Sequence, residues 1–213
     1  MRRYDRSRQA LAIALAFLAG QVDATGFIVA GGYFTSFMSG NTTRLGVELF
    51  DMDTLPWIPL ILIGFFVTGV TVGSVVAARY QGRHKRILLA GIAGVLGMGA
   101  SALSAEKEML FLALAALAMG AANNVFSRDG EVTVGVTYMT GALVRTGQGL
   151  AARMMGRSTA AMRGYPSLWL ALSAGAVCGT GLYGVKPVAA AGAAAALALA
   201  LFVFAFRIER RAP

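Results

Sequence analysis

Two polar stretches hold the residues in this chain best suited to chemistry. Phe37–Phe50 reads FMSGNTTRLGVELF, and Tyr138–Ala151, 101 positions further on, reads YMTGALVRTGQGLA. Met38, Gly40, Arg44, Gly46 and Leu49 recur as Met139, Gly141, Arg145, Gly147 and Leu150, with Phe37 answered by Tyr138 and Ser39 by Thr140. Asn41, Arg44 and Glu48 fall at i, i+3, i+7 and share one helical face, while Met38, Thr42, Leu45 and Leu49 form another. Met139, Leu143, Thr146 and Leu150 repeat that second stripe. Each stretch therefore predicts a short amphipathic half-helix, dipping into a helix bundle or lying at the membrane interface. Ser39 and Thr140 suit the N-cap position, and Gly40 and Gly141 allow close approach and the turn that starts each element. A half-helix N-terminus with free amides and an arginine nearby favours an anion. The competing reading is an arginine that snorkels to headgroups above a packed stripe.

Asp23 is the sharpest single residue. It lies 15 positions after Arg8, or about 22 Å along a helix rising 1.5 Å per residue. That depth is past the midplane of a bilayer yet inside its hydrocarbon core. An aspartate there costs about 2.5–3.5 kcal/mol on insertion scales, so it faces protein and needs a partner. Arg44 and Arg145 are the natural counter-charges, and Gln21 and Thr25 are close in sequence. Two roles stay open for Asp23: a ligand, proton or ion carrier, or a structural carboxyl held by hydrogen bonds. Asn123 and Asn124 occupy the matching level in the second half, where paired amides coordinate a solute or bond across helices. The candidate pathway is thus Asp23, Ser39, Gly40, Asn41, Arg44, Asn123, Asn124, Thr140, Gly141 and Arg145. Arg128, Asp129 and Glu131 read as a solvated charged turn, His84 as a solvated loop residue, and the lone Cys178 as a small packing residue in an apolar run. No metal-ligand cluster, nucleophile motif or phosphate loop occurs, so neither catalytic residues nor a cofactor are expected.

Those residues need elements that place them inside a membrane. Of 213 residues 57% are hydrophobic and only 14% charged, with a mean hydropathy of +0.66; soluble domains carry roughly 25% charge. Six runs have spanning length: Ala10–Ala30, Leu55–Ala78, Ile87–Ala105, Met109–Phe126, Leu168–Gly184 and Pro187–Phe206. Lipid forces backbone polar groups to bond internally, so these are helices. The basic start followed by an apolar run resembles a signal peptide but has no clear cleavage site, which predicts an uncleaved first helix. The net charge of +9 sits at the ends of apolar runs and forms no stripe with interleaved aromatics, which argues against nucleic acid. Arg2, Arg3, Arg6 and Arg8, then Arg79, Arg83, Lys85 and Arg86, then Arg128, Arg153, Arg157 and Arg163, then Arg207, Arg210 and Arg211 fall on one side if six helices cross. Lys107, Lys186 and Arg44 fall on the other. The positive-inside rule then predicts both termini in the cytoplasm.

That topology holds only if the short stretches do not cross. Three crossings per half is an odd number, so the halves must be inverted, with the site at their interface near the midplane. More of the repeat agrees. Gly20 and Asp23 match Gly120 and Asn123 at an offset of 100, and Gly69 and Gly73 match Gly175 and Gly179 at 106. Small residues of this kind let helix backbones approach closely.

The run VDATGFIVAGGYFTSFMSGNTTRLG (Val22–Gly46), with Asp23 followed by Phe34, Met38, Ser39, Gly40 and Asn41, resembles the N-terminal signature of the YoaK-like family of bacterial membrane proteins (domain of unknown function 1275). Met139-Thr140-Gly141 fits as well. The resemblance implies a six-helix fold and a membrane location and supplies no chemistry. The second copy has Ala142 where the first has Asn41. The expectation is an all-α polytopic membrane protein forming one membrane domain over 1–213, with repeats at 9–105 and 108–207, in the bacterial cytoplasmic (inner) membrane. Its expected function is transport or permeation of a small polar or anionic solute, with the lipid bilayer as partner and a homodimer compatible with its size. The alternative is a non-transporting scaffold, sensor or assembly factor that binds a protein partner or lipid, with a packed interior and both arginines at headgroup level.

Overall fold

A computed structural model describes residues 5–50, 57–128 and 131–211. Arg2, Arg3, Asp51, Asp53, Leu55 and Asp129 lie outside the described residues. Eight α-helices make up most of the described chain: α1 Arg6–Val29, α2 Met38–Glu48, α3 Trp57–Arg79, α4 His84–Ser104, α5 Glu108–Ala122, α6 Met139–Met154, α7 Tyr165–Val185 and α8 Pro187–Arg211. The predicted half-helices are α2 and α6.

Five helices, α1, α3, α4, α7 and α8, are long and apolar enough to cross a membrane. The expected sixth span is shorter than its apolar run. α5 has 15 residues, about 22 Å against a hydrocarbon core of about 30 Å. The run to Phe126 leaves the helix after Ala122 because the two asparagines turn their amides elsewhere: Asn123 to Met119 and Thr137, Asn124 to α3. The charged turn is also more structured than expected. Ser127–Arg128 (β1) pairs antiparallel with Glu131–Val132 (β2), the one departure from all-α structure among the described residues.

Short connections and specific contacts fix the helix directions. A turn at 80–83 joins α3 to α4, residues 105–107 join α4 to α5, and Lys186 alone joins α7 to α8. Each of these pairs is antiparallel. Gly175 and Gly179 of α7 lie against the backbones of Phe17 and Gln21 of α1, so these helices run parallel. Gly69 and Gly73 of α3 lie against Leu117 and Ala121 of α5 in the same sense. Arg86 at the start of α4 pairs with Glu209 at the end of α8 at 3.5 Å. Accordingly α1, α4 and α7 run one way and α3, α5 and α8 the other.

The packing pairs come in matching sets. α1 packs most extensively on α7, as α3 does on α5; α4 packs on α8, on its own hairpin partner α5 and more weakly on α3, while α8 also packs on α1 and α7. Four glycines permit the two closest crossings: a Cβ on Gly20, Gly69, Gly120 or Gly175 would strike a carbonyl oxygen of the facing helix. Backbones in contact at this range are what small residues allow in membranes. The core lies where α1 and α5 meet α4 and α8, with Leu11, Leu15, Leu18, Leu89, Ile92, Ala116 and Met119 almost fully buried. α3 and α7 turn most of their apolar surface outward, including Val67, Val72, Val75, Leu170 and Val177.

Candidate functional site

The N-termini of α2 and α6 meet at one cavity of about 300 Å³. Ser36, Phe37, Met38 and Ser39 line it from the first half, and Thr137, Tyr138, Met139, Thr140 and Gly141 from the second, with Phe66 of α3 alongside. Ser36-Phe37-Met38-Ser39 and Thr137-Tyr138-Met139-Thr140 are the same four positions of the repeat, 101 residues apart. Phe66 is the tenth of the 23 residues of α3, which sets the cavity near the middle of that helix. The N-terminal ends of the half-helices therefore meet beside the middle of α3, while most residues of both half-helices are exposed. Phe37 and Tyr138 are the N-caps, and neither makes a side-chain cap bond. Ser39 and Thr140, expected as caps, sit two positions after the caps inside the helices, exposed toward the cavity. Gly141 has open space about it, whereas Gly40 is needed because Phe37 and Phe34 fill the place of its Cβ. The turn glycines are instead Gly31 and Gly32, at φ 65° and 113°.

Asp23 and Asn123 hold the segments that lead into the half-helices. Asp23 Oδ1 accepts from the Ser36 backbone N–H at 2.7 Å and from the Thr35 hydroxyl at 3.2 Å. Asn123 Oδ1 accepts from the Thr137 hydroxyl at 3.1 Å and its N–H at 3.4 Å, while its amide donates to Met119. Ser36 and Thr137 are equivalent positions, so one acceptor in each half fixes the residue just ahead of each half-helix. Neither Asp23 nor Asn123 lines the cavity. Asn124 bonds across helices, donating to the Val70 carbonyl and accepting from Ser74.

The predicted polar face of α2 exists, but it faces the loop before it. Asn41 is fully buried and grips the Phe34 peptide on both sides, accepting from its N–H at 2.9 Å and donating to its carbonyl at 2.6 Å. Arg44 is exposed, lies over the Tyr33 ring at 4.9 Å and fills the space beside Gly32. Glu48 is buried and accepts from the Tyr33 phenol; its second oxygen has no partner among the described residues. Burial, with the Glu48 hydrogen bond and charge, pushes the Tyr33 phenol above its ordinary value, against a smaller lowering by Arg44. Arg145 is also exposed and stacks on Tyr165, at the start of α7, at 5.0 Å. Neither arginine reaches Asp23 or the cavity.

Ser36, Thr137, Phe66, Tyr33 and Glu48 were missed as site residues by the sequence reading. Carrying the repeat one position upstream, from Phe37/Tyr138 to Ser36/Thr137, would have found the first two. Two structural expectations also change. His84 is buried, with Nε2 3.2 Å from the Lys85 amine, which itself lies over the Phe126 ring. Cys178 is exposed on α7 and is not a packing residue.

The sequence profile of a family described as "Protein of unknown function (DUF1275)" matches residues 11–205. The chain belongs to the DUF1275 family. A relative, the "UPF0700 transmembrane protein RA0705" of Rhizobium meliloti (strain 1021), is 35% identical over 179 residues, which cover 84% of this chain and 77% of the relative. No solved structure matches. With five helices of spanning length, this DUF1275 member is a multi-pass membrane protein.

Proposed function

We propose that the protein moves a small polar or anionic solute across the bacterial cytoplasmic membrane through the cavity between the α2 and α6 N-termini. One observation carries this reading: four equivalent positions from each half form opposite walls of one chamber near mid-depth. Re-entrant half-helices whose N-termini converge are suited to an anion or to the negative end of a polar solute. The hydroxyls of Ser39 and Thr140 supply hydrogen bonds, and Phe37, Phe66 and Tyr138 supply an apolar girdle. In this reading Asp23, Asn41, Asn123 and Asn124 position the walls. Asp23 also carries the proton or counter-ion, since it touches Ser36, a wall residue.

The reading takes α1–α4 and α5–α8 as inverted repeats, supported by the opposite directions of α1 and α5 and by the matched glycine crossings. It takes α5 as a sixth, short crossing completed by the turn at 123–126. It places both termini in the cytoplasm, because Arg8, Lys85, Arg86, Arg207 and Arg210 gather at one end of the bundle. No catalytic step is assigned to it.

A second reading is a non-transporting scaffold, sensor or assembly factor that binds a protein partner or lipid. The exposure of Arg44 and Arg145 away from the cavity favours it. Proteoliposomes separate the two. In a Cys178→Ser background, Ser39→Cys and Thr140→Cys are treated with a small anionic thiol reagent, and flux of a panel of small anions and polyols is followed. Transport predicts flux above protein-free vesicles that is lost on modification of either introduced cysteine. Absence of flux for the whole panel, with neither cysteine reactive, would sink it.

A further inference from the structure

α6 is longer than its twin. It has 16 residues against the 11 of α2, about 24 Å against about 16 Å. Both start at the cavity near mid-depth, and half the hydrocarbon thickness is about 15 Å. Measured along the membrane normal, α2 therefore ends near the hydrocarbon boundary, whereas α6 reaches up to about 9 Å beyond it, into the headgroup layer. Arg145 stacks on the first residue of α7, and α7 runs parallel to α1, so α6 emerges at the basic end of the bundle that also holds Arg8.

The emerging part has a distinct surface. Leu150, Arg153, Met154, Met155, Arg157 and, beyond the short 3-10 turn at 160–162, Arg163 are all exposed, Met154 at 88%. Gly149 is packed against Met162, which folds the following segment back under the helix end. No Asp or Glu occurs between Glu131 and Glu209. Among the described residues, neither ion pair includes Arg153, Arg157 or Arg163. Apolar side chains beside uncompensated arginines at headgroup depth match a surface of acyl chains below and negative charge above.

We infer that the end of α6, from Leu150 to Arg157 with Arg163, is a docking surface for anionic phospholipid headgroups. Leu150, Met154 and Met155 enter the acyl boundary and the three guanidinium groups meet phosphates. The inference stands on membrane depth and charge and does not depend on solute movement.

The test uses the full chain in lipid nanodiscs of phosphatidylcholine and phosphatidylglycerol, with native mass spectrometry reading which lipids are retained. Each arginine near an anionic surface contributes about fivefold. The variant Arg153→Gln/Arg157→Gln/Arg163→Gln is therefore expected to lose preference for phosphatidylglycerol by on the order of a hundredfold. Arg207→Gln/Arg210→Gln, at the same end of the bundle on α8, where Arg210 is stacked on Phe206, is expected to lose no more than about fivefold, and high salt is expected to weaken the parent's preference. Arg157→Gln alone lies past the helix end; it tests the surface if the triple variant fails to fold, with a loss of about fivefold expected. Unchanged preference in a folded triple variant, or in Arg157→Gln where the triple does not fold, overturns the inference. An equal loss in the α8 variant does so too, because the preference then belongs to the basic end as a whole.

Discussion

Asp23→Ala removes the acceptor shared by the Ser36 N–H and the Thr35 hydroxyl, bonded at 2.7 and 3.2 Å. Both donors belong to residues with almost no exposure, 6% for Ser36 and 0% for Thr35. A buried donor left without a partner costs about 1–3 kcal/mol. Two of them put the loss at roughly 2–6 kcal/mol, a large part of the stability of an ordinary domain. Asp23→Asn keeps an Oδ1 acceptor in the same place. Asn123 already makes this pair of bonds to Thr137 in the other half, so the expected cost of Asp23→Asn is about 1 kcal/mol or less. Unfolding by denaturant in detergent, followed by the fluorescence of Trp57 and Trp169, measures both. The reasoning fails if Asp23→Ala is neutral, or if Asp23→Asn is as damaging as Asp23→Ala. The same pair of variants divides the two roles of Asp23. A stable Asp23→Asn without flux assigns the residue a charge or a proton in transport, and one with full flux leaves it the positioning role alone.

Two further outcomes are expected. Alanine at Gly20, Gly69, Gly120 or Gly175 drives a methyl into the carbonyl of the facing helix and is expected to cost about 1–3 kcal/mol or more. Alanine at Gly91 or Gly94 of α4 meets open space and is expected to be neutral or to gain up to about 1 kcal/mol from helix propensity; the same unfolding measurement compares the two groups. The raised Tyr33 phenol predicts one tyrosine ionising above the ordinary range near 10 in an ultraviolet titration, absent in Tyr33→Phe. A raised folded-state value means that the unfolded chain loses this proton first. The Tyr33 contribution is therefore complete below pH about 10 and declines as pH rises from there through the folded value. A parent and Tyr33→Phe with the same pH dependence of stability in that range would contradict this.

The elements were legible in the sequence and several roles were not. Apolar length placed the spans, and the repeated Met-x-Gly pattern placed both half-helices within a few residues of where they begin and end. Hydropathy could not see the end of α5, because Ala121 and Ala122 continue into Val125 and Phe126 without a polar break except the two asparagines. What ends the helix is the demand on those amides from Thr137 and α3, which is tertiary. The face shared by Asn41, Arg44 and Glu48 was correct as a face. Its partner is the Gly31–Phe34 loop, whose left-handed glycines carry the backbone back over α2. A helical wheel gives the direction in which residues point together, and it is silent on which segment stands there.

The duplicated arginine is the clearest case of a pattern with a meaning other than the one first assigned. Arg44 and Arg145 occupy the same position on their helices, yet one stacks on a tyrosine before its helix and the other on a tyrosine after it. Different partners for the same residue point to a shared mechanical task, holding the half-helix at its flank while its N-terminus faces the cavity. An exposed cation–π contact of this kind is worth about 0.5–1 kcal/mol. The two halves are then restrained unequally. α2 is tied to its own loop by Asn41 to Phe34, Arg44 over Tyr33 and the Tyr33 phenol to Glu48. α6 has Ala142 in place of Asn41; it packs on α7, with Ala142 buried, the Arg145–Tyr165 stack and Gly149 on Met162, and among the described residues none of its side chains is hydrogen-bonded to the segment before it. Local opening follows the path with the fewest buried contacts and hydrogen bonds to break. In the transport reading proposed above, α6 is then the half-helix expected to move when access to the cavity changes.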